Sequence, residues 1–293
     1  MDGLLIIDKP AGLTSHDVVD RVRRIAGLRA VGHAGTLDPP ATGVLVLLLG
    51  KATRLAEYAE AQAKEYEAVF RFGVETDTFD AAGTVTTESA VPPLTTEGVA
   101  AAAAALTGAI LQVPPAISAV RVGGRRSWRL AREGEAVEPP ARNVIVHAFD
   151  LFRLDPPRAS FRIRCTKGTY VRALARDLGR ALGCGGIVET LRRTRSGTFT
   201  VADAVPLDGL DRAKLEAALR PPAEAAADLP ALKLSDEAVL KIRQGKKLAP
   251  DEVPGSAELA EGTEVRLHGP GGELVAIGEV AGEGREVRPR KVL

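Results

Sequence analysis

The run VLVLLLG at 44–50 is the longest apolar stretch in this 293-residue chain. It is too short to cross a bilayer, and it lacks the polar alternation of a half-solvated strand. The run therefore predicts a strand buried inside a core, and its flanks narrow the architecture. Upstream lies GHAGTLDPPATG, so loaded with Gly and Pro that it predicts a loop. Downstream, KATRLAEYAEAQ predicts an amphipathic helix. At the start, GLLIIDKP reads as a short strand stopped by Pro10. Thr14 or Ser15 can cap a helix through VVDRVRRIAG, which Gly27 ends. EYEAVFRFG alternates as a strand, residues 75–84 read as a polar loop, and Thr95 or Thr96 caps EGVAAAAAALTG.

AISAVRVGGRRSW carries a Gly-Gly pair between alternating runs, a hairpin signal. VIVHAFDLFRL and SFRIRCTKGTY read as strands, VRALARDLGRALG as a helix, and GIVETLRRTRSGTF as another extended segment. Strands and helices mix without strict βαβ alternation, which predicts an α+β fold. Composition shifts to Pro, Ala and Asp over 204–230, which reads as a connector. Residues 231–293 then give one helix, DEAVLKIRQG, and Gly-punctuated strands such as TEVRLHG and ELVAIGEV. The expected organisation is one large domain over 1–230, connector included, and a compact, mostly-β module over 231–293.

Formal net charge is +1, but it is unevenly spread. Residues 120–200 hold 17 Lys and Arg against 7 Asp and Glu, a net of +10. That excess reads either as a phosphate-binding face or as a solvated arginine-rich surface. The two cysteines, Cys165 and Cys184, have no metal-ligand spacing and predict a reduced pair. The N-terminus has an acid at position 2 and too short an apolar run for a signal peptide, so the expected location is the cytoplasm.

LVLLLGKAT fails as a phosphate loop, because Leu45 stands at the first glycine position and Ala52 follows the lysine. No zinc spacing and no Gly-x-Ser-x-Gly elbow are readable, so neither metal nor nucleotide cofactor is expected.

What remains is a carboxylate in an unusual setting. Asp38 lies between glycines that admit close approach and two prolines that restrict the loop. It reads either as a group held in one pose for chemistry or as a turn-capping Asp. Tyr170 and Arg172 stand at a turn-to-helix junction, and an arginine beside a carboxylate keeps it charged and oriented. They read equally as core and helix-face residues. Tyr66, at the start of a strand, reads equally as a half-buried strand tyrosine.

The segments LLIIDKPAGLTSHDVV, GHAGTLDPPATGVLVLLLGKATR, KEYEAVFRFG, ETDTFDAAG and CTKGTYVRALARDLGRALGCGGIVETLRRTRSG resemble, in order, those of the bacterial TruB family of tRNA pseudouridine synthases. The resemblance covers residues 3 to about 200. It implies a pseudouridine synthase fold: a mixed, mostly antiparallel sheet with flanking helices. It further implies a PUA-like C-terminal module. The activity implied is isomerisation of a uridine, expected at position 55 in the TΨC loop of tRNA, to pseudouridine. Asp38 then matches the catalytic aspartate, Tyr66 the tyrosine that stacks on the target base and moves a proton, and Arg172 the arginine paired with the aspartate. Tyr170 matches a second active-site tyrosine and Leu191 a leucine lining the base pocket. His33 matches a histidine packed on the rearranged RNA loop, and Asp80 a polar residue near the flipped nucleotide. Lys9 and Pro10 match a supporting pair.

The expected partner is the TΨC stem-loop of tRNA, with no membrane, no obligatory protein partner and a monomeric chain. Three other readings stand beside this one: a tRNA-binding or tRNA-folding protein without catalysis, a guide-RNA-dependent synthase, and a glycoside hydrolase using Asp77 and Asp80.

Overall fold

The computed structural model describes residues 1–118, 120–133, 139–282 and 285–293. Strand β1 (Gly3–Lys9) leads to helix α1 (Ser15–Ala26), whose two ends follow from the sequence. Asp17 N donates to Thr14 Oγ1 at 3.1 Å, and Thr14 N donates back to Asp17 Oδ2 at 2.8 Å. This reciprocal cap satisfies two free amides, and Gly27 closes the other end at φ 66°. Val18, Val19 and Val22 then face the main core beside Leu5, Ile7 and Leu45.

In chain order there follow β2 (Val31–Ala34), β3 (Thr42–Leu49), α2 (Ala56–Ala61), β4 (Lys64–Phe72), β5 (Val74–Thr76) and β6 (Val85–Glu88). Next come α3 (Thr96–Ala104), β7 (Gly108–Gln112), β8 (Arg121–Val122), β9 (Arg125–Arg126) and α4 (Ser127–Arg132). Then come β10 (Arg142–Asp155), β11 (Arg158–Cys165), α5 (Val171–Ala181), β12 (Gly186–Ser196), β13 (Phe199–Thr200), β14 (Val205–Pro206) and α6 (Arg212–Ala217). The chain ends with β15 (Ala231–Lys233), α7 (Asp236–Arg243), β16 (Glu264–His268), β17 (Leu274–Ala281) and β18 (Glu286–Val292).

The large sheet runs β14-β1-β3-β12-β4-β11-β10-β7, with β2 paired to β3 and β13 to β12. Only the β1–β14 and β3–β12 pairs are parallel. The mixed, mostly antiparallel α+β architecture therefore stands.

β3 explains why VLVLLLG has no polar alternation. Leu45, Leu47 and Leu49 face the main core, while Val44, Val46 and Leu48 face a second cluster on the opposite side. Each fully buried aliphatic side chain of this kind stabilises by about 1.5–3 kcal/mol.

Three expectations need amendment. GHAGTLDPPATG is not all loop, because Gly32, His33 and Ala34 belong to β2 and pair with β3. An edge strand already in register with β3 outweighs glycine's weak strand propensity. The helix predicted from Lys51 begins as a 3-10 turn over Gly50–Leu55. Residues 204–230 are more than a connector. β14 extends the sheet, Leu207, Leu210 and Leu215 enter the main core, and Ala225 and Ala226 enter the second cluster. The Gly-Gly hairpin forms as β8 and β9, though Ala119 within that sequence lies outside the described residues.

Residues 231–293 form a four-stranded sheet, β15-β16-β17-β18, closed by α7 over a core that includes Ile242, Val265, Leu267 and Val287. Ile277 reaches out of this module into the second cluster beneath β3. Tyr58 Oη donates to Glu264 Oε1 at 2.8 Å, and Lys291 pairs with Glu57 at 2.9 Å. Among the described residues no helix is long and apolar enough to cross a membrane.

Candidate active site

Asp38 lies on the turn between β2 and β3, and three devices fix that turn. Ser15 Oγ donates to Leu37 O at 3.1 Å and accepts from Leu37 N at 2.8 Å. Lys9, with no solvent exposure, donates through Nζ to Pro39 O at 3.1 Å, to Leu13 O at 2.6 Å and to Pro10 O at 2.9 Å. Gly43, at φ 99°, lets the backbone of β12 close in: a Cβ there would lie 2.2 Å from Arg193 O. The glycine thus serves a backbone approach, one of the uses open to it in the sequence.

Arg172 meets Asp38 from the first turn of α5. Its Nη2 donates to Asp38 Oδ1 at 3.2 Å, and its Nε lies 2.9 Å from Oδ2. The second contact is a charge contact rather than a linear hydrogen bond, since Nε has no aligned acceptor. Nη1 donates to Thr78 O at 2.8 Å and Nη2 also to Ile117 O at 3.2 Å, so the guanidinium is anchored apart from its acid. Arg172 is 5% exposed, while the Asp38 side chain keeps 35%. The cation is sequestered and the carboxylate reaches the pocket.

Asp80 stands 3.7 Å from Arg172 Nε and is locked by Thr78 Oγ1 at 2.7 Å and Ala82 N at 3.0 Å. Its loop is stitched to β12, where Ala81 N donates to Val188 O and Val188 N to Phe79 O. Phe79 pays for the tight turn with φ 59°, and the Arg176 guanidinium sits 5.0 Å from its ring centre. β12 bulges between Val188 and Thr190, which re-aims the following residues. Leu191, Thr190 and Val188 thereby join Asp38, Asp80, Ala81 and Arg172 around one open pocket of about 320 Å³ out to its mouth.

Tyr66 is buried on β4, opposite Arg193 on β12. Burial raises its pKa, the Arg193 charge and hydrogen bond oppose the rise, and the Asp38 charge adds to it. Tyr170 caps α5, its backbone tied both ways to the Gln112 amide, and its ring lies 5.6 Å from the Arg142 guanidinium. Neither Tyr66 nor Tyr170 lines the Asp38 pocket.

His33 is on β2, partly buried, with Nδ1 unpartnered among the described residues. Burial, then Arg193, lowers its pKa, which favours the neutral ring. Lys9 is lowered to about 8, chiefly by burial and partly offset by Asp38. Pro10 stands at the mouth of a neighbouring hollow with Asp8 and Arg192. Asp77 accepts from Thr84 N and so caps its own turn. Cys165 and Cys184 are free and buried.

Two further residues shape the site with no sequence signal that marks them for it: Ser15, a cap candidate that instead pins Leu37, and Arg193, which crosses the Asp38 turn.

Part of the basic excess of 120–200 is answered by acids from outside it. Arg192 pairs bidentately with Asp8, Arg172 with Asp38, Arg162 with Glu67 and Arg180 with Glu75. Residues 134–138 of that stretch lie outside the described residues. Among the described residues, Arg164, Lys167 and Arg195 are exposed and have no acid within ion-pair distance.

Comparison with known proteins places this geometry. Residues 23–171 match the TruB family pseudouridylate synthase (N terminal domain), and residues 172–228 match the tRNA pseudouridylate synthase B C-terminal domain. A tRNA pseudouridine synthase B of Thermobifida fusca is 47% identical over 95% of this chain and 94% of its own. That of Moorella thermoacetica is 42% identical over 99% of both. Among solved structures, a Cbf5-Nop10-Gar1 complex gives a TM-score of 0.76 at 28% identity, covering 99% of this chain and 84% of that one. An H/ACA ribonucleoprotein bound to a substrate RNA containing 2'-deoxyuridine gives 0.75 at 26%, with the same coverage. On this evidence the chain belongs to the TruB family of pseudouridine synthases.

Proposed function

We propose that the chain isomerises a uridine in tRNA to pseudouridine, at position 55 of the TΨC loop, with Asp38 as the group that attacks. The observation that carries this reading is the pairing of Asp38, exposed to the pocket, with a buried Arg172 held independently by two carbonyls. A carboxylate oriented in this way suits covalent chemistry at a sugar or base carbon, where charge develops and must be held.

The isomerisation balances internally. The bond from C1′ to N1 breaks, the base turns, and a bond from C1′ to C5 forms. C5 loses a proton and N1 gains one. No oxidation occurs, so no electron carrier is required.

The base must leave the RNA stack first, at a cost of a few kcal/mol that stacking and burial offset. Leu191 and Val188 offer apolar cover in the pocket, and Asp80 offers a polar edge. Tyr66 is buried outside this pocket, opposite Arg193, and is the ring that the family resemblance offers for stacking on the base. A glycoside hydrolase is disfavoured because Asp77 serves its own turn while Asp80 is bound to Arg172. A guide RNA is not required by this reading, in which the C-terminal module binds the tRNA directly.

The test is incubation of the protein with an unmodified tRNA transcript, followed by chemical mapping of pseudouridine. Conversion at position 55 without added RNA or protein is expected. Binding without conversion would leave a tRNA-binding protein. Conversion only with a guide RNA would move the chain to the other branch of the fold.

A further inference from the structure

Among the described residues, Arg193 is the largest side chain removed from solvent, at 1% exposure. An isolated buried cation is costly unless many acceptors surround it. Among the described residues no carboxylate lies within ion-pair distance of this one. Neutral oxygens take that place: Nε donates to Val44 O at 2.7 Å, Nη2 to Gly35 O at 3.0 Å, and Nη1 reaches Thr36 O at 3.5 Å. Tyr66 stands opposite Arg193 on the neighbouring strand β4.

These carbonyls share one property. Gly35 and Thr36 precede Asp38 on its turn, and Val44 follows it. The backbone of Arg193 also packs on Gly43, at the exit of the same turn. One planar cation therefore touches the chain on both sides of Asp38, from a position opposite Tyr66.

We infer that Arg193 is a positioning residue of the reaction: its guanidinium fixes the Asp38 turn against β3, directly opposite Tyr66 on β4. Arg193 makes no contact with the pocket and acts through that turn. A fork of donors is needed, because one acceptor on β3 and two on the Asp38 turn must be met at once. A lysine ammonium on a flexible stem reaches only part of such a set. A reacting group displaced by about 1 Å loses on the order of 100-fold in rate. The inference rests on the reading of Asp38 given above.

The test uses full-length Arg193→Lys and Arg193→Met with an unmodified tRNA transcript. The rate of pseudouridine formation at saturation, the half-saturating concentration, thermal melting and amide hydrogen exchange over residues 34–45 are measured. The expected result is a folded Lys variant with near-wild-type half-saturation, a rate lower by about 10- to 100-fold, and faster exchange confined to 34–45. Arg193→Met removes the buried charge without leaving an unpaired acid. If it fails to fold, the Lys variant decides alone.

An unchanged rate overturns the inference. So does a rate loss matched by weaker binding, or by exchange that rises throughout the chain, since a general structural role predicts the latter. Wild-type protein that forms no pseudouridine would instead overturn the functional reading, and the exchange data would then decide the anchoring.

Discussion

Replacing Asp38 by Asn separates a nucleophile from a turn cap, and the structure sets the size of each effect. Asn keeps the shape and still suits a turn. It loses the charge and presents an amide nitrogen to a guanidinium that can only donate. Arg172 then loses the 2.9 Å contact to Oδ2 and the charge behind the 3.2 Å bond to Oδ1, but keeps an amide acceptor there, Thr78 O, Ile117 O and Asp80 at 3.7 Å. Removing one partner of a fully buried pair costs about 3–5 kcal/mol, and of an exposed pair about 0–1. Asp38 is 35% exposed and Asp80 remains as a counter-charge, so a stability loss of about 1–2 kcal/mol is expected. Against a typical total of about 5–15 kcal/mol, that leaves the protein folded.

The chemical effect is far larger. Without its attacking carboxylate the reaction should slow by roughly 10,000-fold or more, about 5.5 kcal/mol in barrier. The assay is single-turnover conversion of a transcript with enzyme in excess, beside a binding titration and a melting curve. Turnover near wild type would refute the nucleophile. Loss of affinity equal to the loss of rate would place Asp38 in binding rather than in chemistry.

Other outcomes follow from the same geometry. Lys9 has a folded pKa near 8 against 10.5 unfolded, so its burial destabilises the fold below about pH 8, and that cost is relieved as pH rises toward 10.5. The stability of wild type relative to Lys9→Met should therefore grow over that window in urea unfolding. A flat difference would contradict the burial argument. In salt titrations of tRNA binding, Lys167→Gln should flatten the log–log slope by roughly 0.7–0.9, whereas Arg162→Gln, whose charge is answered by Glu67, should not. Equal slopes for both would mean that ion pairing does not sort the RNA-facing cations. Gly43→Ala should cost on the order of 3 kcal/mol, because its Cβ meets the Arg193 carbonyl and φ is 99°. A melting temperature unchanged by that substitution would refute the close approach. Turnover should survive exhaustive chelation while monovalent salt keeps the RNA folded, and a strict zinc requirement would refute the present chemistry.

The parts of the molecule legible in the sequence are those set by neighbours along the chain. The cap of α1 needs only Thr14, Asp17 and Gly27, which lie within 14 residues. β3 is legible because both of its faces are apolar. The Asp38 turn stands out because its glycines and prolines restrict the backbone locally, whatever packs around it.

What was hidden depends on pairing across the fold. β2 looks like loop until β3 lies beside it. The +10 of residues 120–200 looks like one basic face until Asp8, Glu67 and Glu75 arrive from elsewhere to answer part of it.

Arg192 and Arg193 show the limit most sharply. They are adjacent and chemically identical, so composition and motif treat them as one unit. Strand alternation sends them to opposite faces of β12. Arg192 meets the Asp8 carboxylate in two hydrogen bonds at a half-exposed edge, where it neutralises a charge. Arg193 turns inward, where its guanidinium donates to the carbonyls of Gly35 and Thr36 on the Asp38 turn and of Val44 on β3. A buried arginine there supplies the donors that the turn lacks. The turn that holds Asp38 in one pose thus takes its buried donors from Arg193. The need is written in residues 35–44, but the residue that meets it lies some 150 positions downstream.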